Sequence, residues 1–202
     1  MAFLALVRHG ESEWNQLGLW TGKTDVSLTE KGRSEARQAA KQLFEIHWDA
    51  AFISGLKRSN ETLQEIISTL QLANVPTSSD HALDERDYGN FAGLKKEEVE
   101  KEYGEDLFEK WHRSWDYPVP HGETLKDVYA RVIPYYQKKI LPLLEQNKNV
   151  LICAHGNSLR ALVKYLENIS DEDIAHLELK TGAVYVYEIN TEGKIISKKI
   201  AN

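Results

Sequence analysis

The sequence predicts an α/β protein: a three-layer α/β/α sandwich on a mostly parallel central sheet, with a small helical and loop cap inserted at about 81–121. Three observations predict it. Short apolar runs alternate with amphipathic helical patterns near both ends of the chain, the rhythm of strand–helix–strand units around a parallel sheet. Two of those runs, at 3–7 and 150–154, stop abruptly at a His-Gly pair, His9-Gly10 and His155-Gly156. Between them the alternation gives way to loops and charged, aromatic-rich helical segments, which read as the cap. The whole of 1–202 is expected to form one domain, long enough to bury a substantial core.

The elements follow in order. Phe3-Leu4-Ala5-Leu6-Val7 is a buried strand, and the Gly-rich polar stretch 15–25 is a loop. Thr29 can cap a helix whose apolar face is Ala36, Ala39, Ala40, Leu43 and Phe44. Ala50-Ala51-Phe52-Ile53 is a short strand, followed by a helix over about 56–72 that turns Leu63, Ile66, Ile67 and Leu70 to the core. The cap carries helices over 95–103 and 105–115. A long helix follows Gly122, broken near Pro134 and Pro142, since proline removes a donor and crowds the preceding turn. A strand over 149–154, a helix over 156–167, and two alternating strands over 184–189 and 194–200 close the chain.

Bulk properties narrow the function. A formal charge of −6 disfavours nucleic acid as a partner, because phosphate backbones attract basic faces. A small anionic substrate remains compatible, since local cations decide the field in a cleft. No segment has the parts of a signal peptide, and no apolar run reaches membrane-spanning length, so a cytoplasmic location is expected. The single cysteine, Cys153, has no partner for an internal disulfide and reads as a small core residue. Neither His9 nor His155 has a neighbour at metal-ligand spacing, so no metal is expected.

The chemistry concentrates at the two His-Gly pairs. In Arg8-His9-Gly10 an imidazole stands beside a guanidinium, followed by a glycine that would let a ligand approach the backbone; this suits attack on a phosphoryl group. Two strands ending in His-Gly would bring both imidazoles to the carboxyl edge of one sheet, where open α/β sheets place their ligands. Taken singly, each residue has a plainer reading. A lone histidine after a strand is usually a packing or surface residue, Arg58 a solvated helix residue, and Glu85 a surface glutamate in a charged loop.

Arg8-His9-Gly10 and His155-Gly156 resemble the histidine phosphatase superfamily, whose members use the first histidine as phosphate acceptor. The likeness extends through Thr21-Gly22, Ser27-Leu28-Thr29-Glu30-Lys31-Gly32, Leu56-Lys57-Arg58, Leu83-Asp84-Glu85-Arg86-Asp87-Tyr88-Gly89 and Gly93-Leu94-Lys95-Lys96. It continues through Arg131-Val132-Ile133-Pro134-Tyr135-Tyr136 and His155-Gly156-Asn157-Ser158-Leu159-Arg160-Ala161-Leu162. All blocks together are similar to the branch of phosphoglycerate mutases that depends on 2,3-bisphosphoglycerate, over nearly the whole chain.

The resemblance implies roles. His9 would be the nucleophile, needing one ring nitrogen free and the other donating to a carbonyl or carboxylate. Arg8 and Arg58 would clamp the phosphoryl oxygens, with His155 and the Gly156-Asn157 backbone adding donors. Glu85 would be general acid and base. Ser12, Asn15, Thr21 and Gly22 would line one wall, while Arg86, Tyr88 and Lys96 hold the substrate's carboxylate or distal phosphate. Trp111-His112-Arg113 aligns where the mutases usually carry tryptophan and two arginines; here His112, shorter and mostly neutral at pH 7, replaces the first arginine. The chain also lacks the longer insertion after that block and the longer C-terminal tail of many mutases.

The implied reaction interconverts 3-phosphoglycerate and 2-phosphoglycerate in glycolysis and gluconeogenesis, through a phosphohistidine primed by 2,3-bisphosphoglycerate. The partners would be small phosphoglycerates, with no nucleic acid and no membrane; the family includes monomers and homo-oligomers. Two other readings use the same residues. A phosphomonoesterase would let water accept the phosphoryl group from His9. An inactive phosphate-binding module would lack the nucleophile, the acid or the clamp, and all are present here.

Overall fold

The computed structural model describes residues 1–72 and 74–201. The N-terminal apolar run becomes β1 (Ala2–Arg8). With β2 (Ala50–Ile53), β3 (Thr77–Ser79), β4 (Val150–Ala154), β5 (Val184–Ile189) and β6 (Ile195–Ala201) it forms a six-stranded sheet in the order β3-β2-β4-β1-β5-β6. β3, β2, β4 and β1 pair in parallel, while β5 and β6 add two antiparallel pairings, so the sheet is mixed. Every residue of β4 is buried, as a central strand covered on both faces requires.

A single turn, α1 (Glu13–Gln16), occupies the start of the segment expected to be loop. The helices α2 (Glu30–Lys41) and α3 (Lys57–Leu70) cover one face of the sheet. Ala39, Ala40, Leu63 and Ile66 pack there on Ala5, Val7, Ala51, Ile53, Leu151 and Cys153. The Thr29 hydroxyl accepts from Gly32 N at 3.1 Å and starts α2 as expected. Phe44 lies beyond the end of α2 and is exposed, whereas Leu43 is buried.

The segment expected to be a cap holds α4 (Lys96–Tyr103) and α5 (Glu105–Arg113). Phe91, Val99, Phe108, Trp111 and Val119 form a separate small core around Trp20, which comes from the loop after β1. Then α6 (Leu125–Tyr135), α7 (Leu141–Glu145) and α8 (Gly156–Glu167) cover the opposite face. Val128, Val132, Leu144, Leu159 and Leu162 pack on Leu4, Leu6, Phe52 and Ile152. The two faces of β1 thus take alternate residues, the period of an extended chain. Among the described residues, no helix is long and apolar enough to cross a membrane.

One expectation needs correction, and one strand was not foreseen. Pro134 does not break its helix: α6 runs through it, and the irregularity is a π turn over Tyr136–Ile140 that hands over to α7 with Pro142 in its first turn. There the Leu141 N–H bonds back to Tyr136 O, the wider spacing of a π turn. β3 carried no sequence signal, because its three residues are polar and exposed and only backbone pairing with β2 defines it.

Candidate active site

The register of the sheet assembles the site. Arg8 pairs with Ala154 at the carboxyl ends of β1 and β4, and His9 N donates to Ala154 O at 3.0 Å. His9 and His155, 146 positions apart, therefore leave adjacent strands together, with ring centroids 4.9 Å apart. Both are buried. His9 Nδ1 lies 2.7 Å from Gly10 O, a carbonyl that can only accept. The proton is thus on Nδ1, and the Nε2 lone pair is open. Burial, reinforced by the Arg58 and Arg8 guanidiniums, holds the imidazole well below its ordinary pKa. It is neutral at physiological pH, the form that can attack phosphorus.

Gly10 serves another purpose than the one expected. A side chain there would collide with the backbone of Gly32 in α2, and one at Gly32 would collide with Glu11. The pair lets α2 pack directly on the chain after β1; Gly10 accommodates a helix, not a ligand.

The two guanidiniums reach the site from different elements. Arg8 Nη1 donates to Leu179 O, which ties the segment before β5 to the cleft. Arg58, in the first turn of α3, donates to Thr24 O and Gly22 O, both at 2.8 Å, and so shapes the loop holding Thr21 and Gly22. Burial lowers Arg58 to about 10, which leaves it a cation at neutral pH. Arg8 Nε, Arg58 Nε and Thr21 Oγ1 are buried with no partner among the described residues. Buried donors without acceptors are costly, and together they suit an anion.

Glu85 is fixed by one oxygen. Oε1 accepts from Arg86 N at 2.7 Å and from Asn157 N at 3.1 Å, at the start of α8. Oε2 lies toward Arg8 and Gly156. Asn157 is held on both sides, donating to the Tyr88 hydroxyl at 2.9 Å and accepting from Arg160 Nη1 at 2.9 Å.

The cleft is lined by Arg8, His9, Asn15, Thr21, Gly22, Arg58, Glu85, Tyr88, Lys96, His112, Arg113, Gly156 and Asn157, and also by Leu19, Arg160, Glu178 and Leu179. Five cations, Arg8, Arg58, Lys96, Arg113 and Arg160, thus face two carboxylates, Glu85 and Glu178, in a protein of net negative charge. Within the lining, His112 packs edge-on against Trp20 with centroids 5.2 Å apart. Burial, and then Lys96 and Arg113, push it down to about 2, so it is a neutral group among cations. Arg113 pairs at 3.6 Å with the exposed Glu178. Among the described residues, no three His, Cys, Asp or Glu side chains cluster as metal ligands.

Three of the residues named from the sequence stand outside the lining. Ser12 caps α1, accepting from Asn15 N, and is fully buried. Arg86 is buried behind the wall, donating to Trp111 O with its guanidinium 4.5 Å over the Tyr88 ring. His155 sits beside His9, its Nε2 2.6 Å from Ser54 Oγ. Conversely, Arg160, Leu19, Glu178 and Leu179 were missed. Arg160 had a signal: three residues after Asn157 on α8, it shares that helix face. Glu178 and Leu179 come from irregular chain and had none.

The histidine phosphatase superfamily (branch 1) model matches residues 4–201. A 2,3-bisphosphoglycerate-dependent phosphoglycerate mutase of Rhodopseudomonas palustris is 46% identical over 197 residues, covering 96% of this chain and 95% of that protein. One of Cytophaga hutchinsonii, with the same name, is 49% identical over 192 residues, covering 95% and 90%. Among solved structures, a mycobacterial glucosyl-3-phosphoglycerate phosphatase superposes with a TM-score of 0.83 at 22% identity, covering 100% of this chain and 98% of the other. The α-ribazole phosphatase of Shigella flexneri gives 0.78 at 25% identity, covering 94% and 92%. Such structural likeness speaks for the fold.

Proposed function

The chain belongs to the histidine phosphatase superfamily, and on that premise we propose that it is a 2,3-bisphosphoglycerate-dependent phosphoglycerate mutase, an isomerase of glycolysis and gluconeogenesis. One observation carries the reading beyond family membership. The cleft gathers an imidazole with an open Nε2 and five cations, Arg8, Arg58, Lys96, Arg113 and Arg160, around two carboxylates, Glu85 and Glu178. A substrate with two acidic groups fits a site with that surplus of cations.

His9 Nε2 holds the phosphoryl group. 2,3-Bisphosphoglycerate, when bound, would supply it at the start; Arg8 Nε, Arg58 Nε and Thr21 Oγ1, without partners among the described residues, suit that anion, and Lys96 and Arg113 add cations to the same cleft. As the group moves to the free hydroxyl of a monophosphoglycerate, Glu85 Oε2 takes the hydroxyl proton. The doubly phosphorylated substrate reorients, and its other phosphoryl group passes to His9 while Glu85 returns the proton to the leaving oxygen. Arg8 and Arg58 neutralise the charge that builds on the phosphoryl oxygens. Asn15, Thr21, Gly22, Tyr88 and the Gly156-Asn157 backbone position the substrate, and Arg86 and Ser12 act from behind the wall. Layers and cap together form one catalytic unit, working in the cytoplasm on small phosphoglycerates.

Phosphorus NMR with 3-phosphoglycerate and a catalytic amount of 2,3-bisphosphoglycerate tests this. We expect 2-phosphoglycerate to form, with dependence on the bisphosphate, and to vanish in His9→Ala. Accumulation of inorganic phosphate in place of 2-phosphoglycerate would mean that water takes the phosphoryl group, and a phosphomonoesterase would replace the mutase.

A further inference from the structure

We propose that Ser54 is a positioning residue that locks His155 in its Nδ1–H tautomer, so that His155 offers a donor to the phosphoryl group carried by its neighbour His9. The inference rests on the reading of His9 as phosphate acceptor. Ser54 follows the last residue of β2 and is buried, as is His155 at the end of β4. Its Oγ accepts the Leu56 N–H at 3.2 Å, which occupies one lone pair. Its hydrogen has one acceptor among the described residues, His155 Nε2 at 2.6 Å. The reverse assignment, with Nε2–H donating to Oγ, would strand a buried hydroxyl hydrogen, which folded proteins avoid.

The ring is neutral, so a proton excluded from Nε2 must sit on Nδ1. Burial and the nearby Arg58 guanidinium hold His155 well below its ordinary pKa, which removes the doubly protonated form. Nδ1 is buried and has no hydrogen-bond partner among the described residues. With the ring centroid 4.9 Å from that of His9, the choice of tautomer has a chemical consequence. An Nδ1–H donates to a phosphoryl oxygen beside it; an Nδ1 lone pair repels one.

The orientation of Ser54 is itself built in. Its N–H donates to Ser59 Oγ at 3.2 Å, and the Ser59 hydroxyl donates to Cys153 O at 2.5 Å in β4. Gly55 N, the next donor along, is held by Asp84 Oδ1 at 2.8 Å, one residue before Glu85. The hydroxyl is therefore aimed by bonds to α3, to β4 and to the loop that carries Glu85. It acts on the phosphoryl group only through His155, as an outer partner fixes the tautomer of a ligating histidine.

Two-bond nitrogen–proton correlation spectra of histidine-labelled protein read tautomers directly, and His155→Gln identifies the resonances. We expect the Nδ1–H pattern for His155 in the wild type, a shift to Nε2–H or a mixture in Ser54→Ala, and recovery in Ser54→Thr. Single-turnover phosphorylation of His9 by 2,3-bisphosphoglycerate should slow roughly 10–100-fold in Ser54→Ala and recover with the tautomer in Ser54→Thr. A proton on Nε2 in the wild type, or a slow Ser54→Ala protein whose His155 keeps the Nδ1–H pattern, overturns the proposal. Failure of the wild type to phosphorylate His9 would instead overturn the reading of His9, while the spectra still decide the tautomer.

Discussion

Glu85→Gln separates proton transfer from architecture. Oε1 of Glu85 accepts two backbone N–H groups, Arg86 N at 2.7 Å and Asn157 N at 3.1 Å, and a glutamine carbonyl oxygen can keep both. The substitution therefore falls on Oε2, the oxygen toward Arg8 and Gly156, which becomes an amide that cannot take a proton. General acid–base catalysis is typically worth about 10²–10⁴-fold, or about 3–5 kcal/mol in the barrier, and kcat should fall by that much. Substrate affinity should hold or improve, since one of two carboxylates leaves a cleft with five cations. Glu85→Ala should behave differently, because it strands both N–H groups at about 1–3 kcal/mol each and so lowers the melting temperature as well. Phosphorus NMR of 2-phosphoglycerate formation, beside thermal melts of both variants, is the assay. A Gln variant that keeps more than a third of wild-type kcat, or that loses activity only through KM, would refute the role of Glu85.

Three further expectations concern residues that the structure places in unusual surroundings. His112→Arg should tighten 2,3-bisphosphoglycerate binding by about 1.5–3 kcal/mol if it adds one charge-assisted bond, and should lower the stability of the free protein by crowding Lys96 and Arg113. Calorimetric titration checks the first effect, and equal or weaker affinity means that position 112 does not touch the anion. Folded His9, His112 and His155 are all held well below the ordinary histidine pKa, whereas the unfolded chain protonates them below about 6.5. Stability should therefore fall as pH drops from 6.5, by on the order of 1 kcal/mol per unit for each and about 4 kcal/mol for the three by pH 5.5. His81, raised by Asp84, works the other way. Urea melts at pH 7.5 and 5.5 measure the sum, and equal midpoints would contradict it. Gly10→Ala should destabilise the fold by several kcal/mol through collision with Gly32, a loss visible in the same melts; a wild-type midpoint would show that α2 can move away.

What the sequence by itself determined lies within short stretches of chain. The apolar run of β1 and the His-Gly that ends it, the Thr29 cap on α2, and the apolar face of α3 are patterns of a few residues, fixed by local sterics, hydrogen bonds and burial. From them the α/β class was legible, and with family resemblance so were most of the residues that now line one cleft. Only the tertiary structure decided the rest. It turned Gly10 toward Gly32, set Ser12 and Arg86 behind the wall, and brought Arg160, Glu178 and Leu179 into the lining. It also paired Ser54 with His155 across 101 positions. The physical reason is the same in each case. A serine, an arginine or a glycine carries no local mark of its partner, and the partner is chosen by strand order and register, which no window of a few residues contains.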